Sequence, residues 1–98
     1  MYGTVAHITV KPGHMDDVVA LCDEWRRNLK PTLPGAVNSY VYRFDANQNR
    51  IAIVAVFQDK ASYVGQADHP AQGEWFGRVS AHFDGEAQWN DGELIMVA

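Results

Sequence analysis

The chain has 98 residues, of which 47% are hydrophobic and 20% charged, and carries a formal net charge of −4. A single domain of that length buries only about two-thirds of its unfolded surface, so a partner subunit is expected to supplement a modest core. With eight Lys and Arg in all, the chain excludes a nucleic-acid footprint, which needs clustered basic residues. No apolar run approaches the roughly 20 residues of a membrane span. No basic segment followed by an apolar stretch opens the chain, and a cytoplasmic protein is expected. Cys22 is the sole cysteine, which rules out an intrachain disulfide and, given its place among apolar positions, predicts a buried thiol.

Tyr2 to Val10 is rich in β-branched residues and predicts a first strand, with Thr4, Ala6, Ile8 and Val10 on one face and Val5, His7 and Thr9 on the other. A Lys11-Pro12-Gly13 turn leads into a helix over His14 to Lys30. Its Met15, Val18, Leu21, Cys22, Trp25 and Leu29 fall on one stripe. Arg26, Arg27 and Lys30 suit its C-terminal end, where cations complement the helix dipole. Pro31 and Pro34 end it. Val37 to Phe44 and Arg50 to Phe57 then read as a hairpin closed by the polar turn Asp45 to Asn49. The strand Ile51 to Phe57 is apolar on both faces, the pattern of a strand covered on one side by helices and on the other by a second sheet.

Asp59 is placed to cap a short helix running to Ala67, and Asp68-His69-Pro70 breaks and restarts it. The continuation carries Trp75, Phe76, Val79 and Phe83 at helical spacing, with Gly73 and Gly77 between them as places where a ligand or another backbone could approach. A last strand is predicted over about Ala87 to Val97, bent or bulged at Asn90-Asp91-Gly92. The order βαββαβ predicts an α+β, ferredoxin-like fold with a four-stranded antiparallel sheet.

These turns (Val10-Lys11-Pro12-Gly13, Pro34-Gly35, Phe57-Gln58-Asp59 and Asp68-His69-Pro70) together resemble the antibiotic biosynthesis monooxygenase (ABM) domain, across essentially all of residues 1–98. The resemblance implies a homodimer of ferredoxin-like subunits joined sheet to sheet, a dimeric α+β barrel. It implies a small hydrophobic ligand, aromatic or quinone-like, and an oxygenase activity with no cofactor; the alternative is a non-catalytic dimeric ligand-binding or stress-response domain. The haem-degrading branch of the family carries Asn, Trp and His where this chain has Ala6, Gly65 and Trp75. That departure argues against haem degradation.

Candidate site residues follow from chemistry and position. His69, at the helix break beside Pro70, is the candidate proton acceptor, because imidazole titrates near neutral pH; the competing reading is a solvated cap. Asn38, Tyr40 and Tyr42 share one face of the second strand, where an amide and two phenols could orient a phenolic substrate or line a dimer interface. Trp75 is a candidate substrate contact or a core residue. His7, His14 and His82 have no partners at metal-ligand spacing, so no metal site is indicated. Nor does the sequence offer a phosphate loop or a Ser or Cys nucleophile with matched base and acid.

Overall fold

A computed structural model describes all of residues 1–98. In chain order it comprises β1 (Tyr2–Thr9), α1 (Met15–Glu24), β2 (Ala36–Phe44), β3 (Asn47–Phe57), α2 (Lys60–Gly65), α3 (Pro70–Ser80) and β4 (Asp91–Glu93). The four strands form one antiparallel sheet in the order β2-β3-β1-β4, the arrangement expected of a βαββαβ chain. No helix is long and apolar enough to cross a membrane.

Alternation along β1 decides what the helices cover. Thr4, Ala6 and Ile8 are buried, and their partners Ala55, Ile53 and Ile51 on β3 point the same way. Against them pack Val18 of α1, Trp75 and Val79 of α3, and Trp25, Leu33 and Phe83 from the connecting segments. The exit from β3 is closed by Asp59, whose carboxylate accepts the Ser62 backbone N–H at 2.8 Å and is thereby held below the usual carboxylate range. A bidentate Arg78–Glu24 pair, at 2.8 and 3.3 Å, ties α3 to the end of α1. Gly3 sits where any Cβ would run into the Ala55 carbonyl across the β1–β3 ladder.

Three segments differ from the sequence expectation. The first helix does not stay α-helical to Lys30: from Trp25 to Leu29 it widens into a π turn, with the Lys30 N–H reaching back to the Trp25 carbonyl, and closes as a 3₁₀ turn over Lys30–Thr32. Pro31 supplies the reason, since it has no N–H to offer the Arg27 carbonyl and its ring would clash there in a regular helix. The β2–β3 turn is Asp45-Ala46 alone, because Asn47 already pairs with Phe44. The last strand is much shorter than Ala87–Val97. Only Asp91, Gly92 and Glu93 pair with β1, preceded by an isolated His7–Gln88 bridge, and Asn90 is no bulge: its amide donates to the Val5 carbonyl at 2.9 Å. Beyond β4, Ile95 is 88% exposed.

Candidate functional site

Between the helices and the inner face of the sheet lies a cavity of about 750 Å³. Its floor is β-sheet: Thr4 and Ile8 from β1, Ser39 and Val41 from β2, Ile53 and Ala55 from β3. Its walls are aromatic. Trp25 reaches in from the π turn and Trp75 from α3, with ring centroids 6.3 Å apart and planes tilted by 51°. Phe76 continues the wall and meets Trp89 at 5.6 Å.

Both inner indoles are fixed by hydrogen bonds. Trp25 Nε1 donates to Gln72 Oε1, and Trp75 Nε1 to the Leu21 carbonyl, each at 2.7 Å. Satisfying the indole N–H in this way lets each ring present an apolar face while staying oriented. Gly73, one residue beyond Gln72, lines the cavity and faces open space, so it leaves room for a ligand and brings no other backbone near.

The polar groups gather at the β4 side. Tyr63 donates its hydroxyl hydrogen to Asp91 Oδ1 at 2.8 Å, and the buried Thr4 hydroxyl beside them has no hydrogen-bond partner of good geometry. Burial first, and then the bond to Asp91, push the Tyr63 phenol up to about 12. The phenol therefore keeps its proton and donates to a carboxylate whose other oxygen, Oδ2, accepts no hydrogen bond within the chain. Cys22 also lines the cavity, and desolvation pushes its thiol up to about 11, which removes it as a nucleophile near neutrality. At the opposite rim Asp23 is engaged by Arg26 and Arg27 and held below the usual carboxylate range by those bonds, so both arginines of the cluster share one carboxylate within their own helix.

The shifts of Cys22 and Tyr63 imply alkaline sensitivity. Both groups titrate higher folded than unfolded, so their contribution is complete below about pH 9 and lost as pH rises towards 11 to 12. For Cys22 it is on the order of 2 kcal/mol; Tyr63, more open to solvent, adds less. Urea unfolding at pH 8 and pH 11 is expected to show the loss, and Cys22→Ser should flatten the profile between them.

The candidates from sequence separate cleanly in space. Trp75 is in the cavity wall, and Asn38 borders the cavity at its β2 rim while its amide donates to the Tyr40 hydroxyl at 2.8 Å. Tyr40 and Tyr42 lie elsewhere: they pair with Val54 and Ala52, so they share the outer face of the sheet, away from the helices, and are 50% and 60% exposed. It is Ser39 and Val41, the other alternating set, that face the cavity. His69 is also outside it. Extended backbone at His69, ahead of Pro70 in the first turn of α3, turns the residue to a second cavity of about 320 Å³ bordered by Leu33, Pro34, Ser62 and Gln66, where its Nδ1 is buried without a partner. Tyr63, Gln72 and Asp91 were not singled out from sequence; Tyr63 and Asp91 are 28 positions apart, and nothing local signals that a loop after α3 brings them together.

The sheet order and the helices packed on one face of the sheet define a ferredoxin-like α+β domain. Residues 1–78 match the antibiotic biosynthesis monooxygenase family, and the chain belongs to it. Among solved structures it is similar to a conserved protein from Methanosarcina mazei Go1, with 21% identity and a TM-score of 0.82 over 93% of this chain and 89% of that one. It is also similar to a mutant form of SnoaB from Streptomyces nogalater, described as a cofactor-independent oxygenase, with 14% identity and a TM-score of 0.83 over 98% and 94% of the two chains. A third similar structure, from Caulobacter crescentus CB15, has 10% identity and a TM-score of 0.85 over 97% and 90%. At these identities the likeness establishes the fold. A search of curated proteins found no match.

Proposed function

We propose that this protein is an oxygenase of an aromatic, phenol- or quinol-like compound, acting without a tightly held cofactor. The carrying observation is the 750 Å³ aromatic cavity with one carboxylate, Asp91, held by Tyr63 at its polar end. A planar ring would lie against Trp25, Trp75 and Phe76, with Thr4 and Gln72 available to fix its substituents. Asp91 Oδ2 would take the phenolic proton. The resulting phenolate is electron-rich enough to react with O₂ directly, and conversion of a phenol to a quinone consumes one O₂ and releases one water. Membership of the family and the description of SnoaB support this reading.

A second reading, a ligand-binding or stress-response domain without turnover, is favoured by the lack of any nucleophile paired with a base along the cavity wall. The two are separated by oxygen uptake. Purified protein mixed with a hydroxynaphthalene is expected to consume O₂ and form the quinone; tight binding with no uptake across a panel of phenols and quinols would leave the passive reading.

The assembly in this proposal is a homodimer. Val5, Tyr40, Tyr42 and Phe44, with Val54 and Val56 between them, make the outer sheet face apolar and aromatic, and no element of the chain covers it. The chain exposes 6178 Å², more than the about 5,600 Å² that the size scaling of monomeric proteins gives for its mass. A second copy seated sheet to sheet would cover that face. Light scattering at micromolar concentration is expected to give twice the 10.9 kDa subunit mass; a persistent monomer would refute the assembly.

A further inference from the structure

Beyond the end of β1 opposite to the one where Asp91 pairs, two histidines that are 68 positions apart meet: His14 Nδ1 and His82 Nδ1 are 2.9 Å from each other. Asp17 Oδ2 stands 3.9 Å from His82 Nδ1, and one donor atom from each of the three residues falls within a 4.8 Å span. We propose that His14, Asp17 and His82 form a binding site for a divalent transition ion of the zinc and cobalt class.

The backbone holds these groups in place independently of their side chains. His14 precedes α1, its N–H donating to the Lys11 carbonyl at 3.0 Å and its carbonyl accepting the Val18 N–H at 3.1 Å. The His82 carbonyl accepts the Lys11 N–H at 2.9 Å, and its own N–H donates to the Val79 carbonyl at 3.1 Å. On either side of this junction Val10 pairs with Phe83, and the Asp84 N–H bonds to the Thr9 carbonyl at 2.7 Å. The two imidazoles are thus carried on a short, closed frame. Asp17 follows His14 by three positions, which puts both on one side of the first turn of α1. Its carboxylate accepts no hydrogen bond within the chain and is free to swing.

Two imidazoles and one carboxylate are the donors that borderline divalent ions prefer. Nitrogens bound to zinc at 2.0–2.1 Å in a tetrahedral site stand about 3.3 Å apart, so a small rotation of either ring from the observed 2.9 Å separation would admit the ion. Without metal, one ring must donate to the other across that distance, and the second ring cannot also carry a proton on the same side. An ion at this point lies between the C-terminal end of α3, whose dipole favours positive charge, and the N-terminal end of α1, whose dipole opposes it, so the ligands and not the helix dipoles would hold it. Lys11, whose ammonium is bound to the Ala81 carbonyl at 3.0 Å, is the opposing charge nearby. The three ligands leave further coordination positions to water.

Cobalt supplies a readout that needs no substrate. Titrating the wild-type protein with Co²⁺ is expected to raise visible absorption bands to an endpoint of one ion per subunit, and Zn²⁺ should abolish them. His14→Gln and His82→Gln should each weaken binding by at least about tenfold, since losing even an outer-sphere partner costs that much. His7→Gln and His69→Gln, which leave the cluster intact, should bind as wild type. Failure of the wild-type protein to develop the bands at millimolar Co²⁺ overturns the proposal whatever the variants do, as does wild-type affinity in His14→Gln and His82→Gln.

Discussion

Trp75→Ala is expected to lower stability by about 3–5 kcal/mol, the range for removing a large aromatic side chain from a core. The indole is only 9% exposed, belongs to the main apolar cluster, and spends its N–H on the Leu21 carbonyl, so truncation both opens a void and removes that hydrogen bond, leaving the carbonyl with the Trp25 backbone N–H alone. For a domain of this size such a loss corresponds to a melting temperature lower by about 15–30 °C. Circular dichroism melts would read it. Trp75→Phe separates the two parts: it keeps most of the volume and the cavity wall, and should cost only about 0.5–1.5 kcal/mol for the lost indole hydrogen bond. A truncated variant that melts within a few degrees of wild type would mean that Trp75 belongs to the ligand site and not to the core.

The largest expected effect on activity belongs to Asp91. If its carboxylate takes the phenolic proton, Asp91→Asn should lower kcat by about 10²-fold or more, the typical size of a general-base contribution. KM should change little, because the amide still fills the same space and can remain bonded to the Tyr63 hydroxyl. Tyr63→Phe provides the contrast. It removes a group that holds Asp91 without touching the proton transfer, so a smaller fall in kcat is expected. Equal rates for Asp91→Asn and wild type would remove Asp91 from the reaction and return attention to substrate oxidation driven by enclosure alone.

Much of this architecture is legible in the chain because it rests on local patterns. Thr4, Ala6, Ile8 and Val10 alternate as a covered strand should, and Asp59 and Pro70 mark the helix starts that they make in space. The site is harder to read for a reason specific to strands. Period two assigns Asn38, Tyr40 and Tyr42 to one set and Ser39 and Val41 to the other, but only packing decides which set meets the helices. Here Ser39 and Val41 face the cavity, and of the polar set only Asn38 borders it. His69 illustrates a second limit, since a helix break fixes a residue's backbone and not the direction of the open space beside it. His14 and His82 illustrate a third: no ligand spacing exists in the sequence when the two residues meet through the closure of β1 on the segment after α3. The final strand is shorter than its apolar run: the Leu94 N–H still donates to the Met1 carbonyl at 2.9 Å, while Ile95, Met96 and Val97 are as apolar as a strand yet exposed and unpaired with β1.

The order in which the sheet is assembled has a consequence for synthesis. β1 is made before any other strand and lies inside the sheet, with β3 on one flank and β4 on the other. Tyr2, Gly3 and Thr4 receive their second set of partners only when Asp91 to Glu93 exist, and Val10 meets Phe83 only slightly earlier. Once β3 has been made, β1 still waits with its other flank unpaired, and the closure that protects that flank is among the most non-local contacts the chain makes. That flank closes stepwise, at Phe83, Gln88 and then Asp91 to Glu93, and a chain cut short before Phe83 has one side of its central strand open.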